Sequence, residues 1–261
     1  MSTGAPGDIR VEIEEREAGR VATVTVDYQA RLNILDRGRI SRLRQAFLDL
    51  ADDGQLRVAV LTGAGERAFI GGADVNELVT LDEHSAEGFI RSLHEACQAM
   101  RDLPVPVIAK IRGYCLGGGL EIAAACDLRA ASDDASFGMP EVAVGIPSVI
   151  EAALLPSIVG FGRARELVYT AQRWDAREAY EAGLVERVVP AADLDGAVED
   201  WVAAIMANGP LAIRAQKRLV RQWETLPPDE TIEASIAAFV EAHRSAEPRT
   251  FQRRFLDRPR D

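Results

Sequence analysis

Along the first sixty residues the apolar positions change period twice. Val11 to Ile13 and Val21 to Val26 read as strands joined by a turn over 17–20. In the second strand Val21, Thr23 and Thr25 alternate with Ala22, Val24 and Val26, so one face is the more apolar. From 27 to 35 the pattern lapses into a loop that carries Arg31 and Asn33. It resumes at helical spacing, with Ile40, Leu43, Phe47 and Leu50 on one face of a helix over 36–52. Asp36 is placed to accept from the free N–H groups of its first turn, and Gly54 ends it. Val58 to Thr62 is a continuous apolar run, too short for a helix between its flanks. It predicts a strand buried on both faces of a parallel sheet.

Beyond that strand the alternation of element types continues. A helix spans 80–103, with Phe89, Ile90, Leu93, Cys97 and Met100 on one side and Pro104 and Pro106 stopping it. Val107 to Ile111 is a strand that leads through Gly117, Gly118 and Gly119 into an Ala-rich apolar helix. Short strands follow at 128–131 and 135–137, then helices at 147–159, 162–170 and 175–181. The last is capped by Asp175 and closed by Gly183. A strand at 184–189 ends at Pro190. From about residue 192 only helices remain, at 192–208, 211–224, 230–245 and 251–256, the first with Leu194, Val198, Val202 and Ile205 inward. The chain is therefore an α/β protein in two regions, a mixed core over 1–191 and a helical region over 192–261, with no internal repeat.

Composition narrows the class of function. The 261 residues, 48% hydrophobic and 27% charged, suit one large globular domain with an appendage. A net charge of −11 argues against non-specific nucleic-acid binding, yet a local pocket can still oppose the global sign. Cys97, Cys115 and Cys126 form neither a metal-ligand spacing nor a disulfide framework and read as reduced thiols of a cytoplasmic protein. His84, His94 and His243 are scattered; no metal site is expected, and His84 and His94 read as surface residues. Residues 1–8 read as a small, polar, frayed end without a signal peptide, and no apolar run of about eighteen residues predicts a membrane span.

Candidate chemistry gathers at the glycines. At a strand-to-helix turn, Gly117 to Gly119 let a backbone come very close to something, and the following N–H groups sit at the positive end of a helix dipole. Glu121 stands one turn inside, among apolar residues. The residues allow two readings: an anion-holding turn beside a working carboxyl group, or close helix–strand packing with Glu121 facing solvent. Gly71-Gly72-Ala73 before Asp74 is a second place for a free N–H, though alone it reads as a loop ended by an Asp cap. Glu141, between Pro140 and an apolar run, is either a second carboxyl group in apolar company or a loop-surface residue.

Four stretches carry a resemblance that decides between these readings. They are Leu32-Asn33-Ile34-Leu35; Val60-Leu61-Thr62-Gly63 through Ala68-Phe69-Ile70-Gly71-Gly72-Ala73-Asp74; Gly113-Tyr114-Cys115-Leu116-Gly117-Gly118-Gly119-Leu120-Glu121 with Cys126-Asp127; and Phe137-Gly138-Met139-Pro140-Glu141. Ala182-Gly183-Leu184-Val185 fits as well. In this order they resemble the enoyl-CoA hydratase/isomerase, or crotonase, superfamily. The resemblance implies a spiral of ββα turns followed by a helical tail that packs in trimers or in dimers of trimers. It implies an acyl-CoA substrate and no cofactor besides the coenzyme A of that substrate; the acidic charge and the lack of an apolar span add the expectation of no nucleic-acid or membrane partner. It assigns the oxyanion hole to the N–H groups of Ala73 and Gly118, and the acid–base pair of a hydratase to Glu121 and Glu141. Arg31, Gly71, Gly72, Asp74, Val75 and Leu116 fall to CoA-ester binding, with Arg31 near the nucleotide. Arg253 and Arg254 of the tail either reach a neighbour's site or are solvated.

The chemistry fits those residue types. An enolate builds charge on the thioester oxygen, which fixed N–H dipoles in a dry site stabilise without reorganising. Adding water across a double bond needs a base at the water and an acid at Cα, and two carboxyl groups can share the work. One departure bears on substrate. Val149, Ile150 and Glu151 stand where many members have glycines, and they reshape the acyl pocket or its water access. Hydration of a 2-enoyl-CoA is the leading reading. Hydration followed by hydrolysis, as in a methylthioacryloyl-CoA hydratase, thioester hydrolysis or isomerisation in the same site, and a non-catalytic binding or scaffold role are the alternatives.

Overall fold

The computed structural model describes residues 2–3 and 8–257. Most of the segment expected to fray lies outside the described residues, but Ser2–Thr3 form a short strand, β1, that pairs antiparallel with β2 (Ile9–Arg16). β3 (Gly19–Val26) completes an antiparallel meander. α1 (Arg37–Ala51) then crosses back to β4 (Leu56–Gly63), which lies parallel to β3. Asp36 caps α1 by accepting from Arg39 N, and Ile40, Leu43, Phe47 and Leu50 are buried, as the spacing predicts.

From β4 onward one unit recurs. β4, β5 (Ala68–Ile70), the short α2 (Val75–Leu78) and α3 (Glu83–Asp102) make the first turn. β6 (Val107–Ile111), β7 (Tyr114–Leu116) and α4 (Gly118–Ala125) make the second. β8 (Leu128–Ser132), β9 (Ser136–Gly138) and α5 (Leu155–Thr170) make the third. The first strand of each unit joins a large sheet and the second joins a small one. The large sheet has the order β1-β2-β3-β4-β6-β8-β11 and is parallel from β3 on. The small sheet has the order β10-β9-β7-β5. β10 (Arg173–Asp175) is antiparallel to β9, α6 (Ala176–Glu181) follows it, and β11 (Arg187–Val189) closes the large sheet. This is the spiral of ββα turns.

The expected helix over 147–159 is not continuous. The chain makes 3-10 turns at Glu141–Val144 and Ile150–Leu154 before α5 starts, and Gly160, at φ 77°, kinks α5 between the two expected helices. Pro156 sits in the first turn of α5, where its missing N–H costs nothing.

The main core lies between the large sheet and α1, α3, α4 and α5. A second cluster covers the sheet's other face: Val21, Val58, Val60 and Ile108 meet Leu194, Val198, Val202 and Met206 of α7 (Leu194–Met206). Each of these side chains contributes about 1.5–3 kcal/mol by leaving water. The α7 face that the sequence reads as inward is covered by the chain's own sheet. α8 (Pro210–Trp223) is tied down by the buried Lys217, which pairs with Asp127. α9 (Pro228–Ala242) and α10 (Glu247–Leu256) bury no residue and expose Ile232, Ile236, Phe239, Val240, Phe255 and Leu256. Among the described residues no helix is long and apolar enough to cross a membrane.

Candidate active site

β5 and β7 are parallel neighbours, so the glycine turns that follow them lie side by side. Gly72 has φ 104° and Gly117 has φ 53°, conformations an L side chain resists. Space excludes side chains as well. A Cβ on Gly119 would overlap the Ile70 carbonyl, and one on Gly72 would stand 3.0 Å from the Leu116 carbonyl oxygen. The glycines serve close packing and the turn at once.

The packing does not take up every N–H group of these turns. Gly71 N donates to Leu32 O at 2.9 Å, Asp74 N to Leu35 O at 2.8 Å, and Gly117 N to Gly138 O at 2.9 Å. Leu120 N and Glu121 N both donate to Gly117 O. Ala73 N and Gly118 N, among the described residues, donate to nothing within the chain. They are close together, since a Cβ built on Gly118 would lie 3.9 Å from Ala73 N. Gly118 is also the first residue of α4, at the positive end of its dipole. The same construction point is 3.9 Å from Glu121 Oε2.

Glu121 is 4% exposed, on a helix whose residues are all buried. Its Oε1 accepts from Ala152 N at 3.4 Å. Burial first, and then the charge of Glu141, push its pKa up to about 8, so the group is protonated at neutral pH. Glu141 opens the 3-10 turn after β9 and lies against Gly117, where a Cβ would strike its Oε1. Its Oε2 accepts from Ser148 Oγ at 3.0 Å; burial raises its pKa too. Two carboxyl groups of unequal environment thus border one cleft of about 600 Å³ with the two free N–H groups. Leu78, Leu81, Phe89, Ile90, Leu93 and Val144 supply much of its apolar wall.

Of the residues singled out by sequence, the cleft brings together Gly71, Gly72, Ala73, Val75, Gly118, Glu121 and Glu141. Arg31, Asp74 and Leu116 do not line it. Arg31 is exposed, on a 3-10 turn whose following residue, Leu32, touches Gly71. Asp74 caps α2 by accepting from Asn76 N at 2.9 Å, and Leu116 meets the glycine turn through its carbonyl. Arg253 and Arg254 end α10, with Arg254 stacked over Phe251. His94, expected as a surface residue, is half-exposed, and its Nδ1 lies 2.9 Å from Glu151 Oε1. Sequence reasoning did not find that pairing, nor Ser148 beside Glu141. A buried charge in the segment that departs from glycine was its only signal. The three cysteines are free and buried, and burial pushes the Cys126 thiol up to about 12, which leaves it unreactive. No group of side chains able to hold a metal occurs among the described residues.

Residues 16–260 match the sequence model of the family described as enoyl-CoA hydratase/isomerase. The chain belongs to the enoyl-CoA hydratase/isomerase family. It is 32% identical to the short-chain-enoyl-CoA hydratase of Clostridium acetobutylicum over 247 residues, 94% of each chain. It is 31% identical to the crotonyl-CoA hydratase of Syntrophomonas wolfei over 89% of this chain and 88% of that one. The crystal structure of the enoyl-CoA hydratase from Bacillus anthracis superposes with a TM-score of 0.89 at 30% identity, covering 95% of this chain and 96% of that one. The family match runs from β2 through the ββα core into the helical tail.

Proposed function

We propose that this chain hydrates a 2-enoyl-CoA thioester to the 3-hydroxyacyl-CoA. The observation that carries the reading is the pairing, in one apolar cleft, of two free N–H groups with two carboxyl groups of unequal environment. The thioester oxygen accepts from Ala73 N–H and Gly118 N–H. Glu141, the less perturbed carboxylate, takes a proton from water as its oxygen bonds to Cβ. The electron pair of the double bond moves to Cα and the thioester, and the resulting enolate is stabilised by the two dipoles. Glu121, protonated at neutral pH, delivers its proton to Cα. A proton passing back through solvent resets the pair. Dipoles and carboxyl groups supply the whole chemistry, so no cofactor beyond the coenzyme A of the substrate is required. The names of the relatives support hydration, and the retention of both carboxyl groups favours it over isomerisation or thioester hydrolysis.

The test is a panel of enoyl-CoA esters in the presence of EDTA, following loss of the enoyl-thioester absorbance, free thiol and the position of the double bond. Hydroxyacyl-CoA formation without thiol supports the proposal. Stoichiometric thiol release or double-bond migration as the main outcome would replace it with hydrolysis or isomerisation, and no turnover of any ester would leave a binding role. The exposed apolar faces of α9 and α10, together with the family's habit, support a homotrimer or a dimer of trimers.

A further inference from the structure

Behind the cleft lies a third acidic side chain that the reaction as written does not use. Glu151 is 4% exposed, on the 3-10 turn that packs against α4 and α3. Its Oε1 is clamped from α3: Gln98 Nε2 donates to it at 2.8 Å, and His94 Nδ1 lies 2.9 Å away. Gln98 is itself held by Arg221 Nη2 of α8 at 3.2 Å. Glu151 Oε2 is buried with no nitrogen or oxygen partner, and only the weakly donating Cys97 thiol faces the carboxyl group. A buried carboxylate oxygen so weakly partnered is costly, and such groups in folded proteins call for a reason other than stability.

The backbone at this point is strained in the same place. Ile150 has φ 38°, which a β-branched residue strongly resists. That kink sends the three neighbouring residues to different tasks. Val149 lines the cleft. Glu151 turns inward to α3. The N–H of Ala152 donates to Glu121 Oε1 at 3.4 Å. The charge of Glu151 therefore sits one peptide from a direct contact with Glu121 but does not reach the cleft.

We propose that Glu151 is a positioning residue for Glu121: a buried negative charge, clamped by α3, that holds the Glu121 carboxyl group in its proton-donating form. The inference rests on the reading of Glu121 as the proton donor. Burial and the charge of Glu141 act in the same direction as Glu151, while the Val149 and Ala152 N–H groups act against them. The other titratable and charged neighbours are His94 and Cys97 on α3, Cys126 at the end of α4, and Arg221 behind Gln98. Removing the negative charge of Glu151 lets Glu121 ionise at lower pH. The alkaline limb of hydration, set by loss of the Glu121 proton, then moves down in pH.

The experiment compares the wild-type full chain with Glu151→Gln, which keeps the shape and loses the charge, and Glu151→Asp, which keeps the charge and loses the shape. Glutamate labelled with 13C at the carboxyl carbon reports the Glu121 titration directly, assigned as the signal missing in Glu121→Gln. We expect Glu151→Gln to lower the Glu121 midpoint and the alkaline limb of kcat together by at least about half a pH unit. KM should change less than twofold, and Glu151→Asp should keep the wild-type midpoint. A structural strut would give the reverse, with Gln close to wild type and Asp impaired. An unshifted Glu121 midpoint in a folded, active Glu151→Gln overturns the inference. If Glu151→Gln does not fold, a lowered midpoint in Glu151→Asp overturns it instead. A shifted midpoint in a protein that hydrates nothing would refute the reaction and leave the electrostatic link standing.

Discussion

Replacing Glu121 by Gln should make the protein more stable at neutral pH while it removes the proton donor. The folded chain holds this carboxyl group at a pKa of about 8, against an ordinary value of 4.5, because burial and two acidic neighbours oppose its charge. A carboxyl group with a raised folded pKa contributes stability that is fully present below the unfolded value. That stability is lost as pH rises toward the folded value, since unfolding then releases a proton. Each pH unit in that window costs about 1.4 kcal/mol, so the loss at pH 7 is on the order of 3 kcal/mol. Glutamine keeps the shape and has no proton to release. Urea denaturation of both proteins at fixed protein concentration, from pH 4 to pH 8, should show equal stability at the acid end. The gap in favour of the variant should open steadily above about pH 5. A gap that does not change with pH would refute the reasoning, because it would mean that Glu121 ionises in the folded protein as it does in water.

Glu121→Gln and Glu141→Gln should each lower kcat for hydration by about a hundredfold or more, with much smaller changes in binding of the CoA ester; near-full activity in either removes that residue from the mechanism. Gly118→Pro deletes one of the two free N–H groups and should abolish turnover in a protein still folded by circular dichroism, a loss of about 3 kcal/mol or more in the barrier. Arg31→Ala should raise KM several-fold with kcat nearly intact, through loss of an exposed phosphate contact that weakens in salt and is absent for a substrate cut back to the pantetheine arm; a penalty that persists with the short substrate would show that Arg31 does not read the nucleotide. Phe239→Glu together with Ile236→Glu should dissociate an oligomer that light scattering finds in the wild type, and a wild type that is monomeric at micromolar concentration would defeat the oligomer proposal.

The long, strongly periodic elements were legible from sequence because one face of each is buried over several turns. α1 and β4 fall within a few residues of their expected ends. α3 starts three residues late because Asp82 and Ser85 form a capping box that fixes its first turn. β5, β7 and β10 have three residues each, too few to show a period, and they build the small sheet that sets the two glycine turns side by side. The neighbourhood of Glu121 and Glu141 followed from the resemblance. The partnership of His94 with Glu151 spans 57 residues of sequence and leaves no local trace. The α7 face was legible as inward, but not what it packs on. An apolar stripe tells that a helix is covered, and only the topology tells by what.

What the pattern could not show is concentrated where local rules are broken. Gly117 is left-handed against a carboxyl group, Ile150 is left-handed at a β-branched residue, Glu121 is buried and neutral, and Glu151 keeps a weakly partnered oxygen. Each of these opposes folding, and all four meet within the turns around one cleft. They are tolerated because α3 and α4 hold that cleft from a core in which Phe89, Leu93, Cys97, Met100, Leu120 and Ile122 are almost wholly buried. A chain that carries such features together, on so rigid a support, has given up stability at this cleft. The chemistry proposed for that place needs each of them: a turn tight enough to free an N–H, a carboxyl group that keeps its proton at neutral pH, and a second charge behind it to make sure that it does.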